Sequence, residues 1–201
     1  MHPNPIFRSA DDQKNLSFAE KRGFGSLSIN GADGPLMAHV PFVLNASCTK
    51  LAFHLMRSNP VARAGSQPAL LSVNGPDGYI SPDWYGEAQL VPTWNYIAVH
   101  VRGQLTVLEA DALEPHLREL SDSFEQRLLP KPVWSLDKVS MENRAKMMRM
   151  LVPVELEITS IDATWKLGQN KPEAAIKGAA EGLKASDIGA ETAALAALME
   201  K

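Results

Sequence analysis

The segment His54–Pro60 combines arginine, serine and asparagine directly before a proline. Pro60 suits the first position of a helix and Asn59 or Ser58 suits the N-cap, so free backbone N–H groups would point outward. Such a helix end attracts anions, and the Ser58 hydroxyl and the Arg57 guanidinium could hold a phosphate there. On this pattern alone, an ordinary capped helix with a surface arginine is the commoner arrangement.

Aromatic and amide side chains gather in a second segment, Val91–Tyr96, which leads into a strand with His100 and Arg102. Rings, an amide and two potential cations on one sheet face would suit an aromatic ligand that also needs hydrogen bonds. The same residue types are typical of subunit interfaces, so both interpretations stand. A third segment, Trp165–Pro172, brings a lysine and two amides to a helix start, and taken alone it is best explained as a strand-to-helix turn with solvated polar residues.

Several other kinds of site lack their usual signatures. The sequence contains no Gly-x-Gly-x-x-Gly, phosphate-loop, Gly-x-Ser-x-Gly or His-Glu-x-x-His motif. Cys48 is the only cysteine, which excludes an intrachain disulfide and any multi-cysteine metal site. His39, His54 and His100 fall on separate strands, where ordinary hydrogen-bonded histidines are commoner than metal ligands, so no metal is expected.

The elements that position these segments are mainly strands, followed by helices. The predicted strands are 24–29, 36–44, 51–57, 68–73, 79–81, 93–109 and 152–161, with a turn at 74–78 and a further strand end at 165–167. The predicted helices are a short one ending before Gly23, then 113–128, 141–150, one after Pro172 and an alanine-rich one after Gly189.

The strand 93–109 carries two different faces. Ile97, Val99, Val101, Leu105 and Val107 share one parity, and Trp94, Tyr96, His100 and Arg102 share the other. A bulge at Gly103 would reset this register beyond it.

Composition and strand order favour one α+β domain with a barrel or sandwich core rather than a repeating βαβ fold. The 201 residues are 45% hydrophobic, enough for one sizeable core. The net charge of −3 gives no global attraction to nucleic acid or to an anionic membrane. Because no run of eighteen uncharged apolar residues and no export signal is present, we expect a cytoplasmic protein.

Five segments together resemble the PaiB-like family of FMN-binding negative transcriptional regulators. They are Met37–Pro41, His54–Pro60, Asn74–Tyr85, Val91–Tyr96 with Val99–His100, and Trp165–Asn170, in the family's order. The resemblance runs from Pro5 to Leu183. It implies a split β-barrel with flanking helices, like that of pyridoxamine phosphate oxidase, in a homodimer that binds FMN between its subunits. The domain would cover residues 1–185, with an alanine-rich helix at 186–201.

The resemblance also implies which residues contact FMN. Arg57, Ser58 and Asn59 would hold the phosphate, and His39 and His54 would line the flavin. Thr93, Trp94 and Asn95 would approach the ring, and Lys166 with Gln169 would contribute from the C-terminal side, within one subunit or across the dimer. The chain departs from the family pattern at Ala38, where threonine is common, at Gly168, where serine is usual, and at Asp77–Gly78.

Three functions are compatible with these features. The first is a flavin-binding regulator, although the acidic total makes direct nucleic-acid binding doubtful. The second is an FMN-dependent oxidoreductase that acts on an unknown small molecule. The third is a flavin carrier or an interaction module. The methionine-rich stretch Lys146–Met150 could form an adaptable binding surface with basic edges, but core or interface packing is the favoured interpretation.

Overall fold

The chain forms a largely antiparallel sheet with helices around it in the computed structural model, which describes residues 1–86 and 89–200. The helices are α1 (Asp12–Arg22), α2 (Pro60–Arg63), α3 (Leu113–Glu125), α4 (Met141–Met148), α5 (Glu173–Lys184) and α6 (Thr192–Met199). The strands are β1 (Phe24–Gly31), β2 (Gly34–Pro41), β3 (Val43–Leu44), β4 (Lys50–Met56), β5 (Gln67–Ile80), β6 (Thr93–Val107), β7 (Leu151–Lys166) and β8 (Gly189–Ala190). None of the described helices is long and apolar enough to cross a lipid bilayer.

The chain divides into two compact units. The first unit comprises Met1–Asn15, Asn74–Val99 and Asp162–Lys201, and the second comprises Leu16–Val73 and His100–Ile161. The strands β5, β6 and β7 each contribute residues to both units.

The second unit contains a β-hairpin formed by the predicted strands 24–29 and 36–44. β1 and β2 pair antiparallel, with Gly31 opposite Gly34 beside the turn. The strand order is β2-β1-β5-β6-β7-β4-β3, and β8 pairs with β5. The predicted strand 36–44 is interrupted, because β2 ends at Pro41 and β3 begins at Val43. Apolar residues from alternate strand positions fill this core, including Leu27, Leu51, Phe53, Leu71, Val101, Leu105 and Leu156.

Gly103 does not reset the register of β6. Burial alternates without a break through this position, and Val101 and Leu105 on either side are fully buried. A Cβ atom at Gly103 would overlap the carbonyl oxygen of Glu157, so the glycine allows a close backbone approach instead of forming a bulge.

The predicted turn at 74–78 is wrong, because β5 continues as a single strand through this segment. Asp77 and Gly78 pair with Ala190 and Gly189 of β8, and Asp77 Oδ1 accepts a hydrogen bond of 3.0 Å from the Ala190 N–H. A Cβ atom on Gly78 would lie 2.6 Å from Leu183 Cδ2. The glycine therefore serves close packing on a helix rather than a turn. The predicted strands 152–161 and 165–167 likewise form one strand, β7.

The first unit has its own apolar cluster around α5 and α6. It includes Ile80, Tyr85, Ala175, Ala179, Ala180, Leu183, Leu195, Ala196 and Met199. The predicted helices after Pro172 and after Gly189 are confirmed, and the alanine-rich α6 is packed rather than free. Trp84 lies against Gly178 and Gly182, one turn apart on α5, where a Cβ at either glycine would overlap its backbone or its indole ring.

Replacing Gly182 by alanine tests this packing. Alanine favours helix by about 1 kcal/mol over glycine, but a methyl group here must displace the indole of Trp84. Overpacking of this kind costs about 1–3 kcal/mol, so we expect Gly182→Ala to lower the free energy of unfolding measured in urea. Glu181→Ala, at an exposed position of the same helix, is the matched control and should be neutral. Greater stability of Gly182→Ala than of the wild type would contradict this packing.

Candidate functional site

The predicted site residues fall into both compact units. The first unit contains Thr93, Trp94, Asn95, Lys166 and Gln169, and the second contains His39, His54, Arg57, Ser58 and Asn59.

Lys166 and Thr93 meet in the first unit. Lys166 is the last residue of β7 and Thr93 the first of β6, and the lysine Nζ donates a hydrogen bond to the threonine Oγ1. Both side chains line a cavity of about 360 Å³ together with Asn95. The cavity wall also contains His2, Asn4, Phe7, Tyr85, Gly168, Asn170 and Lys171.

This cavity has a cationic and polar lining. Burial lowers the pKa of the Lys166 ammonium, and no carboxylate is present among the described residues that line the cavity. The Nζ of a second lysine, Lys171, lies 5.5 Å from the ring centre of Tyr85. A half-buried ammonium without a carboxylate partner favours an anion or a polar aromatic ring as its neighbour.

Asn95 offers hydrogen-bonding capacity in the same place. Its side chain is 1% exposed, and its Nδ2 donates to Met199 Sδ over 3.6 Å. A thioether sulfur is a weak acceptor, so a ligand oxygen would be a better partner for this amide.

Trp94 is separated from Thr93 and Asn95 by the alternation of β6. Its side chain is 46% exposed, whereas Asn95 beside it is buried. It meets Tyr79 edge to face at 6.3 Å between ring centres and lines a different, shallow cavity beside Asn74 and Tyr96. Neighbouring residues of a strand point to opposite faces, so these three predicted residues do not form one surface.

Gln169 is engaged by the backbone around it. Its Oε1 accepts from the Leu167 N–H at 2.8 Å, and its Nε2 donates to the carbonyl oxygens of Trp165 at 2.6 Å and Ile6 at 3.3 Å. The adjacent Gly168 has a φ of +85°, in the left-handed region that favours glycine. Gln169 therefore stabilises the turn that follows Lys166.

The second unit contains the predicted strand end and helix start. Asn59 is the N-cap of α2, its Oδ1 accepts from the Val61 N–H at 2.9 Å, and Pro60 takes the first helical position, as predicted. Arg57 donates from Nε to the carbonyl oxygen of Arg149 at 3.2 Å and from Nη2 to that of Leu151 at 3.0 Å. The guanidinium is thus held by neutral carbonyl groups rather than by a carboxylate.

The predicted histidines have different surroundings. His39 is exposed on β2, its Nδ1 lies 3.0 Å from Ser26 Oγ, and its ring stacks on Phe24 with 6.4 Å between centres. His54 is half-buried on β4, and its Nδ1 lies 3.1 Å from Nε2 of His116 on α3. Sequence reasoning missed His116, although its spacing from Leu113 and Leu120 places it on the apolar stripe of the helix.

Burial keeps this histidine pair neutral. It lowers the pKa of His54, and burial together with the nearby His54 lowers the pKa of His116 to about 4. The Nδ1 of His116 is buried without a hydrogen-bond partner among the described residues, so a second proton on that ring would have little to stabilise it.

Acidification should therefore destabilise the folded chain. The pKa of His116 is about 4 when folded and about 6.5 when unfolded, so the unfolded state binds more protons between these values. Stability is lost as the pH falls through this range. We expect His116→Gln to lose about 2 kcal/mol less than the wild type between neutral pH and about pH 4, measured by urea unfolding. The exposed His39→Gln is the control, and equal losses in His116→Gln and the wild type would contradict the assignment.

Comparison with known proteins gives a family and a relative. The model of the "Putative FMN-binding domain" family matches residues 1–160. The protease synthase and sporulation protein PAI 2 of Bacillus subtilis is 28% identical over 177 residues, which cover 86% of this chain and 84% of that protein.

Solved structures give the fold. The flavocytochrome Anf3 from Azotobacter vinelandii matches with a TM-score of 0.60 at 15% identity. The match covers 84% of this chain and 73% of the flavocytochrome chain. The FAD and heme binding protein from Mycobacterium smegmatis matches with a TM-score of 0.59 at 17% identity. The match covers 81% of this chain and 74% of the Mycobacterium smegmatis chain. The predicted α+β split-barrel fold is confirmed. Because the family model spans most of the chain, the predicted cofactor, FMN, is also confirmed, and the chain belongs to the FMN-binding domain family.

Proposed function

We propose that Lys166, Thr93 and Asn95 contact FMN in the cavity of the first unit and that the flavin-bound protein acts as a regulator. The observation that carries the site is the half-buried Lys166 ammonium, which has a threonine hydroxyl as its partner and no carboxylate in the described cavity wall. FMN joins an anionic phosphate to a ring system with several hydrogen-bond acceptors, and it complements such a lining in charge and in polarity.

The residues of this cavity fit a flavin chemically. The ammonium, the hydroxyl and the Asn95 amide supply donors, while Phe7 and Tyr85 supply apolar and aromatic surface. When bound, FMN would supply redox chemistry that none of these side chains has. The residues of the chain would bind and orient FMN. The positive charge of Lys166 would stabilise the more negatively charged redox state of the flavin.

A second set of residues, at the predicted strand end, is also proposed to contact FMN. Ser58 is exposed, and Arg57 has a positive charge that no carboxylate in the described chain neutralises. We propose that these two residues bind the FMN phosphate, and that the Asn59 cap holds the backbone N–H groups in place. His39 and His54 would line the flavin, and Gln169 would position Lys166 through the turn that it stabilises.

The FMN site is tested by removing one charge at a time. We expect Lys166→Met, which keeps the length of the side chain, to weaken FMN binding about tenfold, measured by quenching of flavin fluorescence. Lys177→Met on the exposed face of α5 is the matched control and should bind as the wild type does. Arg57→Ala should weaken binding by a similar factor. Unchanged affinity in either site variant would remove that residue from the proposed site.

Regulation is proposed from the relative and from the charge of the chain. The name of the Bacillus subtilis relative connects it with protease synthesis and sporulation. The net charge of −3 offers no general attraction to DNA, so we propose that this chain regulates through a protein partner. Bound FMN would select the conformation that the partner recognises.

Complementation of a deletion strain tests the link between flavin and regulation. We expect transcript levels to change when the gene is deleted and to be restored by the wild type and by Lys177→Met, but not by Lys166→Met. Full restoration by a Lys166→Met protein that has lost FMN would contradict a flavin-dependent regulator. A salt-sensitive mobility shift of DNA by the purified protein would contradict regulation through a protein partner.

We further propose a cytoplasmic homodimer. Trp94 is exposed on a strand face that also carries Tyr96, and such aromatic faces are common at subunit interfaces. Cys48 is free and exposed, which suits a reducing compartment. Light scattering should give twice the chain mass of 21.9 kDa, and the mass of a single chain would overturn the dimer.

A further inference from the structure

The methionine-rich helix α4 does not pack into the core. It contains no buried residue, and Met141 is 84% exposed and Met147 44% exposed. Sequence reasoning favoured packing for the stretch Lys146–Met150, and the structure excludes core packing for it. Exposed methionines form a flexible and polarisable apolar surface that adapts to varied ligands.

A cavity of about 450 Å³ lies beside this helix in the second unit. Its apolar wall comes from the start of α3 and the residues just before it, from α4 and from the start of β7, and it consists of Ala110, Leu113, Met141, Ala145, Met148 and Leu151. This volume is in the range of small-molecule sites, and most of its lining residues are apolar, as is typical of such sites. The polar part of the wall consists of three arginines and one glutamate.

One of these arginines is already paired. Arg144 donates from Nη1 to Glu114 Oε1 at 3.0 Å and from Nη2 to Asp137 Oδ1 at 3.3 Å. Arg118 contacts the same two carboxylates at 2.8 Å each. Two arginines and two carboxylates therefore neutralise one another, which removes the negative charge of Glu114 from the cavity. The Nε of Arg144 is buried and has no partner among the described residues.

The other two arginines have no such compensation. Arg57 is held by the carbonyl oxygens of Arg149 and Leu151, and its Nη1 takes no part in these two bonds. Arg149 is exposed at the end of α4. Within residues 1–86 and 89–200, neither guanidinium forms an ion pair. The cavity thus combines an adaptable apolar wall with two positive charges in excess.

We propose that this cavity binds an amphipathic anion, namely a carboxylate or a similar head group on a short acyl or aromatic body. The head group lies against the guanidinium group of Arg149, where a carboxylate can accept two hydrogen bonds from one fork. The apolar body lies on Met141 and Met148. This site does not depend on FMN. Arg57 is assigned to the proposed phosphate site, so Arg149, which no flavin contact uses, holds the head group and carries the test.

The probe for the test is anilinonaphthalene sulfonate, a fluorescent aromatic anion, titrated into the full chain with and without saturating FMN. We expect binding in both cases, displacement by octanoate and no displacement by octanol at the same concentration. Arg149→Gln should weaken the probe about tenfold and leave FMN affinity unchanged. Ala145→Phe, which fills the cavity without altering charge, should weaken the probe as well.

Lys146→Gln is the matched control, since it removes one positive charge from the same exposed helix outside the cavity wall. It should bind the probe as the wild type does, and thermal unfolding establishes that all three variants are folded. Equal effects of Arg149→Gln and Lys146→Gln would overturn the site, as would displacement by octanol as effective as that by octanoate. Competition between FMN and the probe would assign the cavity to the FMN phosphate and overturn a separate site. If the wild type binds the probe but does not bind FMN, that result would contradict only the flavin proposal.

Discussion

The two-residue period of β6 is the constraint on which the arrangement of the site depends. Alternate side chains of this strand are buried, so Asn95 shares a face with Ile97 and Val99. The same period directs Trp94 outward to Tyr79. The alternation of this strand singled out the polar parity with Trp94, whereas the family resemblance also named Thr93 and Asn95, and the cavity takes these two from the apolar parity. An asparagine among valines and isoleucines was the available signal, because a buried amide requires a hydrogen-bond partner.

The fold was predictable where periodicity alone determines it. Alternation located β1, β4 and β6, and helical spacing located α3, because each of these elements buries one continuous apolar face. Prediction failed where glycine is used for close packing. The Asn74–Gly78 segment has the composition of a turn, yet it is extended because Gly78 lets Leu183 approach. Local composition cannot distinguish these two uses of glycine, since the second depends on a helix more than one hundred residues later in the sequence.

The site was predictable in its residue types and only partly in its contacts. The cap at Asn59 follows from local sequence, and it is found as expected. The partners of Arg57 and His54 come from distant positions, the carbonyl oxygens of Arg149 and Leu151 in one case and His116 in the other. Gly168 stands where the family usually has serine, and the backbone conformation explains this difference. Its φ of +85° lies in the left-handed region, which glycine adopts more readily than serine.

Local charge compensation, rather than total charge, decides what each cavity can bind. The chain is acidic overall, with 23 carboxylate residues against 20 lysines and arginines. Yet no carboxylate is found among the described residues around Lys166, and the carboxylate beside the α4 cavity is neutralised by Arg118 and Arg144. Because these ion pairs neutralise Glu114, the remaining charge of that cavity is the positive charge of the arginines in its wall that are unpaired within the described chain. Because exposed charges are screened within about 10 Å at moderate salt, the acidic residues elsewhere weaken this local attraction for anions only slightly.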